Sequence, residues 1–287
     1  MNNKWIALLS CWLVSVVFAY GQHDAAFQLY DKKGKKVAYQ KMIKVLAESD
    51  VVLFGELHDN PIAHWMQLKV TQSIHKQKGV VLGAEMFETD NQAQLNQYLV
   101  GEIDQKGFDT LARLWSNYAT DYAPLVEYAK QEGIRFIACN VPRKYASIVY
   151  KNGFEALNEL PDDEKNWLAP LPIPYDANLS QYQAMLEMMG GHGGEKFPKA
   201  QAIKDATMAH RIVSGFIENT TFIHFNGSFH SNYYEGIYWY IKQYRPETRI
   251  KTINTILVED INSVDKSEFE TADFILAVDH EMTSTYK

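Results

Sequence analysis

Val51-Val52-Leu53-Phe54-Gly55-Glu56-Leu57-His58-Asp59-Asn60-Pro61 is the stretch that decides the fold. Its first four residues form a short, continuously apolar, β-branched run, as expected of a central strand covered on both faces. The chain then turns abruptly to acidic and imidazole side chains at Glu56 and His58. Asn60-Pro61 supplies a helix cap with proline at the first helical position. Ile62, Met66, Val70 and Ile74 recur at helical spacing until Gly79 stops the pattern. Val80 to Ala84 is the next buried strand.

Outward from this unit the alternation continues. Helical stretches fall at Gln92 to Leu99 and Asp121 to Glu132, a strand at Arg135 to Cys139, and a long helix near Ala200 to Glu218. The long helix has Ala202, Ala206, Ala209, Val213 and Phe216 on its apolar face. Further strands are expected at Phe222 to Phe225, Ile250 to Leu257 and Asp273 to Val278. Strand and helix in succession predict an α/β fold: a mostly parallel central sheet with helices on both faces and right-handed crossovers. Residues 151–199 break the rhythm with Pro161, Pro170, Pro172 and Pro174 and the run Gly190-Gly191-His192-Gly193-Gly194. They read as a helical insertion, a lid over the sheet edge. Phe27 to Val37, turning at Asp31 to Gly34, reads as a hairpin preceding the main sheet.

Residues 1–21 read as a signal peptide: Lys4 is the positive end, Trp5 to Ala19 are almost all apolar, and Ala19-Tyr20-Gly21 offers a small-x-small cleavage site. Leu8-Leu9-Ser10-Cys11 resembles a lipid-attachment box, but Cys11 sits inside the apolar run instead of closing it. A lipid anchor through Cys11 is therefore the less favoured reading. The expected location is exported, periplasmic or associated with the cell surface. Residues 22–287 are expected to form a single domain, a length that buries a sizeable core. No later stretch approaches the roughly 20 apolar residues of a membrane helix. Removing the leader takes away Lys4 alone and turns a net charge of −7 into −8. With no basic run, nucleic acid is excluded as a partner. Cys139 is then the only cysteine, so no intrachain disulfide forms, and it reads as a buried small hydrophobe.

Ligands of open parallel sheets sit outside the carboxyl ends of the strands. Four strands here end in polar residues: Gly55-Glu56-Leu57-His58, Glu85-Met86-Phe87-Glu88, Asn140-Val141-Pro142-Arg143 and Asn226-Gly227-Ser228-Phe229-His230. Their convergence would place His58, Glu85, Arg143 and His230 in one cleft with Glu56. His58, Glu85 and His230 make a donor set for a divalent metal such as zinc. Glu56 is equally suited to act as a general base with its pKa raised by partial burial, or simply to cap the following helix. Arg143 could clamp a carboxylate or phosphate, or pair with Glu85. His224, between Ile223 and Phe225, reads as a core histidine. His192 among four glycines is either a loop imidazole brought over a ligand or a flexible turn. Met185, Met188 and Met189, with the aromatic run Tyr233, Tyr234, Tyr238, Trp239, Tyr240 and Tyr244, offer soft apolar surface suited to a planar ligand such as haem. The Cys-x-x-Cys-His attachment motif is absent, so haem would be bound non-covalently through His or Tyr.

Taken together, Leu53 to Asn60, the Glu85-Met86 pair, Asn140 to Arg143, the helix carrying Gln201, Asp205 and Met208-Ala209, and Gly227 to His230 resemble the ChaN-like haem-binding family. That family lies in a wider superfamily with Tiki-type proteases and erythromycin esterases, and the resemblance runs from about Val37 to His280. It implies a haem-binding protein of haem and iron acquisition, with haem, a second copy of the chain and outer-membrane uptake proteins as partners. The superfamily site falls on Glu56, His58, Glu85, Arg143 and His230. Members are often lipoproteins. The axial ligand does not carry over, and His192, Tyr175 and Tyr182 are candidates beside His58. The alternative is a metal-dependent hydrolase, an esterase or peptidase, using the Glu56/His58/Glu85/His230 cleft.

Overall fold

The computed structural model describes residues 25–188 and 194–285. The leader, Cys11, Met189 and His192 lie outside the described residues.

Among the described residues seven strands, β1 (Phe27–Asp31), β2 (Val51–Glu56), β3 (Gly79–Glu88), β4 (Phe136–Asn140), β5 (Thr220–Gly227), β6 (Ile250–Val258) and β7 (Phe274–Asp279), form one sheet in the order β1-β7-β6-β2-β5-β3-β4. All pairings are parallel except β1 with β7. The helices are α1 (Tyr39–Ala47), α2 (Pro61–His75), α3 (Gln92–Leu99), α4 (Gln105–Leu111), α5 (Ala123–Glu132), α6 (Arg143–Asn152), α7 (Asp162–Lys165), α8 (Ser180–Met188), α9 (Lys196–Gly215) and α10 (Ile237–Tyr244).

Strand side chains alternate between faces, and the core divides accordingly. Val52, Phe54, Ile223 and Phe225 pack with α1 to α5 on one face, while Val51, Leu53, Val81 and Phe222 pack with α6, α8, α9 and α10 on the other. The chain runs outward from β2 through β3 to β4 with helices on the first face. It then doubles back through β5 to β6 and β7, with helices α6 to α10 on the second. Reversing direction with unchanged crossover handedness demands the opposite face. β2 and β5 are neighbours, yet their exits diverge to opposite faces. A crevice therefore opens between their carboxyl ends.

Local chemistry sets the ends of α2 as read: Asn60 Oδ1 accepts from Ala63 N at 2.9 Å, with Pro61 in the first turn. At the outer edge, the Gln92 side chain imitates a further strand. Its Nε2 donates to Phe136 O at 3.0 Å and its Oε1 accepts from Ala138 N at 2.7 Å, closing the free edge of β4.

Two expectations need correction. Phe27 to Val37 does fold back on itself, with Asp31 N donating to Lys35 O and Val37 N to Leu29 O, each at 2.9 Å, but it does not precede the main sheet: β1 is that sheet's edge strand, paired antiparallel with β7. The proline-rich segment packs on the second face, where Leu157, Leu168, Ile173, Tyr182 and Met185 are buried against α6 and α9. Among the described residues, no helix is long and apolar enough to cross a membrane.

Candidate functional site

The four polar strand ends meet at the crevice. Glu56, the last residue of β2, is fully buried, and donors surround its carboxylate. His58 Nδ1 donates to Oε1 at 2.8 Å, Tyr122 OH donates to the same oxygen at 2.7 Å, and the Gln67 amide donates to Oε2. His64 Nδ1 lies 3.4 Å from Oε2, an ion-pair distance without hydrogen-bond alignment. Burial alone would push the Glu56 carboxyl up, but His58 and His64 more than offset it and hold the group below its ordinary value. The expected raised pKa is thus reversed, because the burial is accompanied by paired donors. The three donors fix the orientation of the Glu56 carboxylate.

His58 is held at three places. Its Nδ1 is fixed by Glu56, its carbonyl accepts from Asn117 Nδ2 at 2.9 Å and from His64 Nε2 at 3.2 Å, and Trp115 meets its ring edge-on at 4.9 Å. Its side chain is 41% exposed, and among the described residues no protein group hydrogen-bonds Nε2. Burial disfavours the charged ring, yet Glu56 and Glu85 outweigh it and the His58 pKa is raised. Gly227 makes this placement feasible, since a Cβ there would lie 2.8 Å from His58 Nε2.

A second buried array stands beside the first. Glu85 Oε2 accepts from Gly227 N at 2.8 Å, and Glu85 Oε1 lies 3.1 Å from His230 Nε2. His230 Nδ1 is bonded to Asp205 Oδ1, and Tyr182 OH donates to Asp205 Oδ2 at 2.9 Å. Against the cost of burial, the two carboxylates hold His230 protonated, with its pKa raised to about 9. Glu85 is driven far below the carboxylate range: burial opposes this, and the charge of His230 overcomes it. Asp205 is pushed up by burial.

Glu56, His58 and His230 line an open cleft of about 920 Å³, with Leu57, Phe229, Ile256 and Leu257 as its apolar wall. That volume lies at the upper end of the roughly 300–1,000 Å³ of cofactor sites. Glu85 sits beneath Gly227. Arg143 does not line the cleft; it borders a separate hollow between α6 and α9, and Glu85 pairs with His230 instead. Tyr182 is buried as the support of Asp205, and Tyr175 stacks on it at 5.7 Å, so neither ring reaches the cleft. His224 is fully buried in the sheet, its pKa lowered by desolvation to about 4.

The metal donor set read from the sequence does not form. Both ring nitrogens of His230 are engaged by carboxylates, and among the described residues no three His, Cys, Asp or Glu side chains are arranged to hold a metal ion. His64, Gln67, Tyr122 and the site role of Asp205 lie outside what the sequence pattern announces. Each sits on a helix or helical turn, and the available signal was a polar residue on an apolar helix face, as at Gln67 beside Met66 and Val70.

Residues 42–241 match the model of the family described as haem-binding uptake, Tiki superfamily, ChaN. The chain belongs to that family. ChaN of Campylobacter jejuni, whose solved structure is described as showing cofacial haem binding, superposes with a TM-score of 0.65 at 18% identity, over 87% of this chain and 96% of that one. An open form of an erythromycin esterase superposes with a TM-score of 0.52 at 10% identity, over 88% and 97%. Both likenesses establish the fold. A chloroplast protein of Arabidopsis thaliana, RETICULATA-RELATED 5, is 24% identical over 198 residues, 63% of this chain, which spans only 26% of that protein's length.

Proposed function

We propose that this ChaN-family chain is an exported haem-binding protein of haem and iron acquisition, holding haem non-covalently in the cleft beyond β2, β5 and β6. One observation carries the reading: His58 lines a large, partly apolar cleft with Nδ1 locked to a buried carboxylate and, among the described residues, no protein partner on Nε2. A carboxylate on the far nitrogen fixes the tautomer and makes the near nitrogen a stronger donor. His58 would hold haem through that nitrogen, and haem would supply the iron that it binds. Leu57, Phe229, Ile256 and Leu257 would cover part of the ring and exclude water. The family match supports haem, and the cofacial arrangement described for the Campylobacter jejuni protein supports a homodimer closing the open side. Export rests on the leader-like residues 1–21, and outer-membrane uptake proteins are the proposed partners.

Hemin titration tests this directly. A saturable Soret band is expected, with affinity lowered at least tenfold in His58→Ala. Absence of a band, or a band unchanged when His58 and His192 are both replaced by Ala, sinks the reading.

A second reading is a hydrolase, an esterase or peptidase, favoured by the buried Glu85–His230–Asp205 array, which holds more ionisable groups than a haem pocket requires. His58, oriented by Glu56, would take a proton. Turnover of aryl esters that is lost in both His58→Ala and His230→Gln would establish it. No turnover above the buffer rate would remove it.

A further inference from the structure

At the amino edge of the sheet, opposite the cleft, a cavity of about 140 Å³ is lined by Gln92, Asn96, Arg135, Ile137, Arg211, Ser214 and Gly215. Two arginines, Arg135 and Arg211, line it, and among the described residues no acidic one does. Among the described residues, neither arginine has a carboxylate within the 4.0 Å of an ion pair. Arg211 is anchored by donation from its Nη2 to Asn166 O at 2.6 Å. Its Nε is buried with no hydrogen-bond partner. Gln92 cannot serve it, because both ends of its amide are committed to β4 and to Asn96.

A buried guanidinium donor left unpaired is costly, and two like charges at one cavity add repulsion. Water could satisfy the donor but not the charge. Guanidinium forks match the oxygens of phosphate, sulfate or carboxylate. The cavity exceeds what one water needs and is smaller than sites for drug-sized ligands.

We infer that the cavity between α3, the start of β4 and the end of α9 is a binding site for a small oxyanion. Two cations favour a dianion of the phosphate or sulfate type. This goes beyond the haem reading and is independent of it. The occupant would tie α9 to the edge strand, and α9 is the helix that carries Gln201 and Asp205 to His230.

Isothermal titration of the full chain with sulfate, inorganic phosphate and acetate at constant ionic strength in chloride decides the matter. One-to-one saturable binding of sulfate or phosphate is expected, weaker for acetate. Arg135→Gln, at an exposed position, should weaken it at least tenfold, as should Arg211→Lys, which keeps the charge but removes the fork. Lys151→Gln, at a different surface hollow, should leave it unchanged. No saturable binding of either dianion overturns the proposal, and so does wild-type affinity in Arg135→Gln or acetate binding equal to sulfate. Should Arg211→Lys fail to fold, Arg135→Gln still decides. None of these outcomes depends on hemin binding.

Discussion

Glu56 shows how burial and pairing compete at a single residue. Glu56→Gln keeps the shape but sets an amide where only acceptors fit. His58, Tyr122 and Gln67 then lose the charge and one of the two acceptor oxygens that they share, and the Tyr122 hydroxyl or the Gln67 amide has to reorient. The expected loss is about 1–3 kcal/mol, read from the denaturant midpoint, together with weaker hemin binding as the His58 tautomer is freed. For His58 the pH sign is fixed: a proton on Nε2 competes with iron, so hemin affinity should fall as pH falls. Because the His58 pKa is raised, the fall should begin above the usual histidine range near 6.5. An affinity that stays constant between pH 8 and pH 5.5 would contradict this assignment. His230 gives the opposite dependence. Its pKa rises from an unfolded value near 6.5 to about 9. The stabilisation is therefore complete below pH 6.5 and is lost as pH rises through 9. The effect is on the order of 3 kcal/mol for the whole coupled cluster. Denaturation midpoints measured across that window should decline in the wild type and decline less in Glu85→Gln.

At the scale of elements, the strand ends were legible because a continuous apolar run stopped abruptly at ionisable groups, at Phe54-Gly55-Glu56 and Ala84-Glu85 alike. What stayed hidden was the support. His64 and Gln67 lie on α2 and Asp205 on α9, and a helix face has no comparable break: one polar residue among Ala202, Ala206 and Ala209 interrupts the spacing without saying what it meets. Arg143 was assigned to the cleft because it follows a strand, but α6 begins at that very residue and directs it elsewhere. The role of Gln92 at the edge of β4 was equally unreadable, since the partner is backbone 44 residues later. Its removal makes a clean test. Gln92→Ala should cost about 1–2 kcal/mol and expose a strand edge that templates association, seen as a lowered midpoint with concentration-dependent light scattering. A variant that remains monomeric at full stability would show that the amide is incidental.

For the molecule as a whole, a ligand that binds only the folded chain must stabilise it by mass action. Hemin at a hundred times its Kd should add about 2.7 kcal/mol, visible as a concentration-dependent Tm that disappears in His58→Ala. The position of β2 has a further consequence in time rather than space. Its two neighbours pair Val51 with Phe222 and with Ile250, so the strand that carries Glu56 waits for chain made about 170 and 200 residues later. Loop closure over such separations is slow. During synthesis, the early half presents an apolar strand with neither flank covered. Any cleft on such a chain is a late event, arising only when the last third arrives. Pulse-labelled intermediates should therefore acquire hemin binding after, and never before, amide protection in β5 and β6.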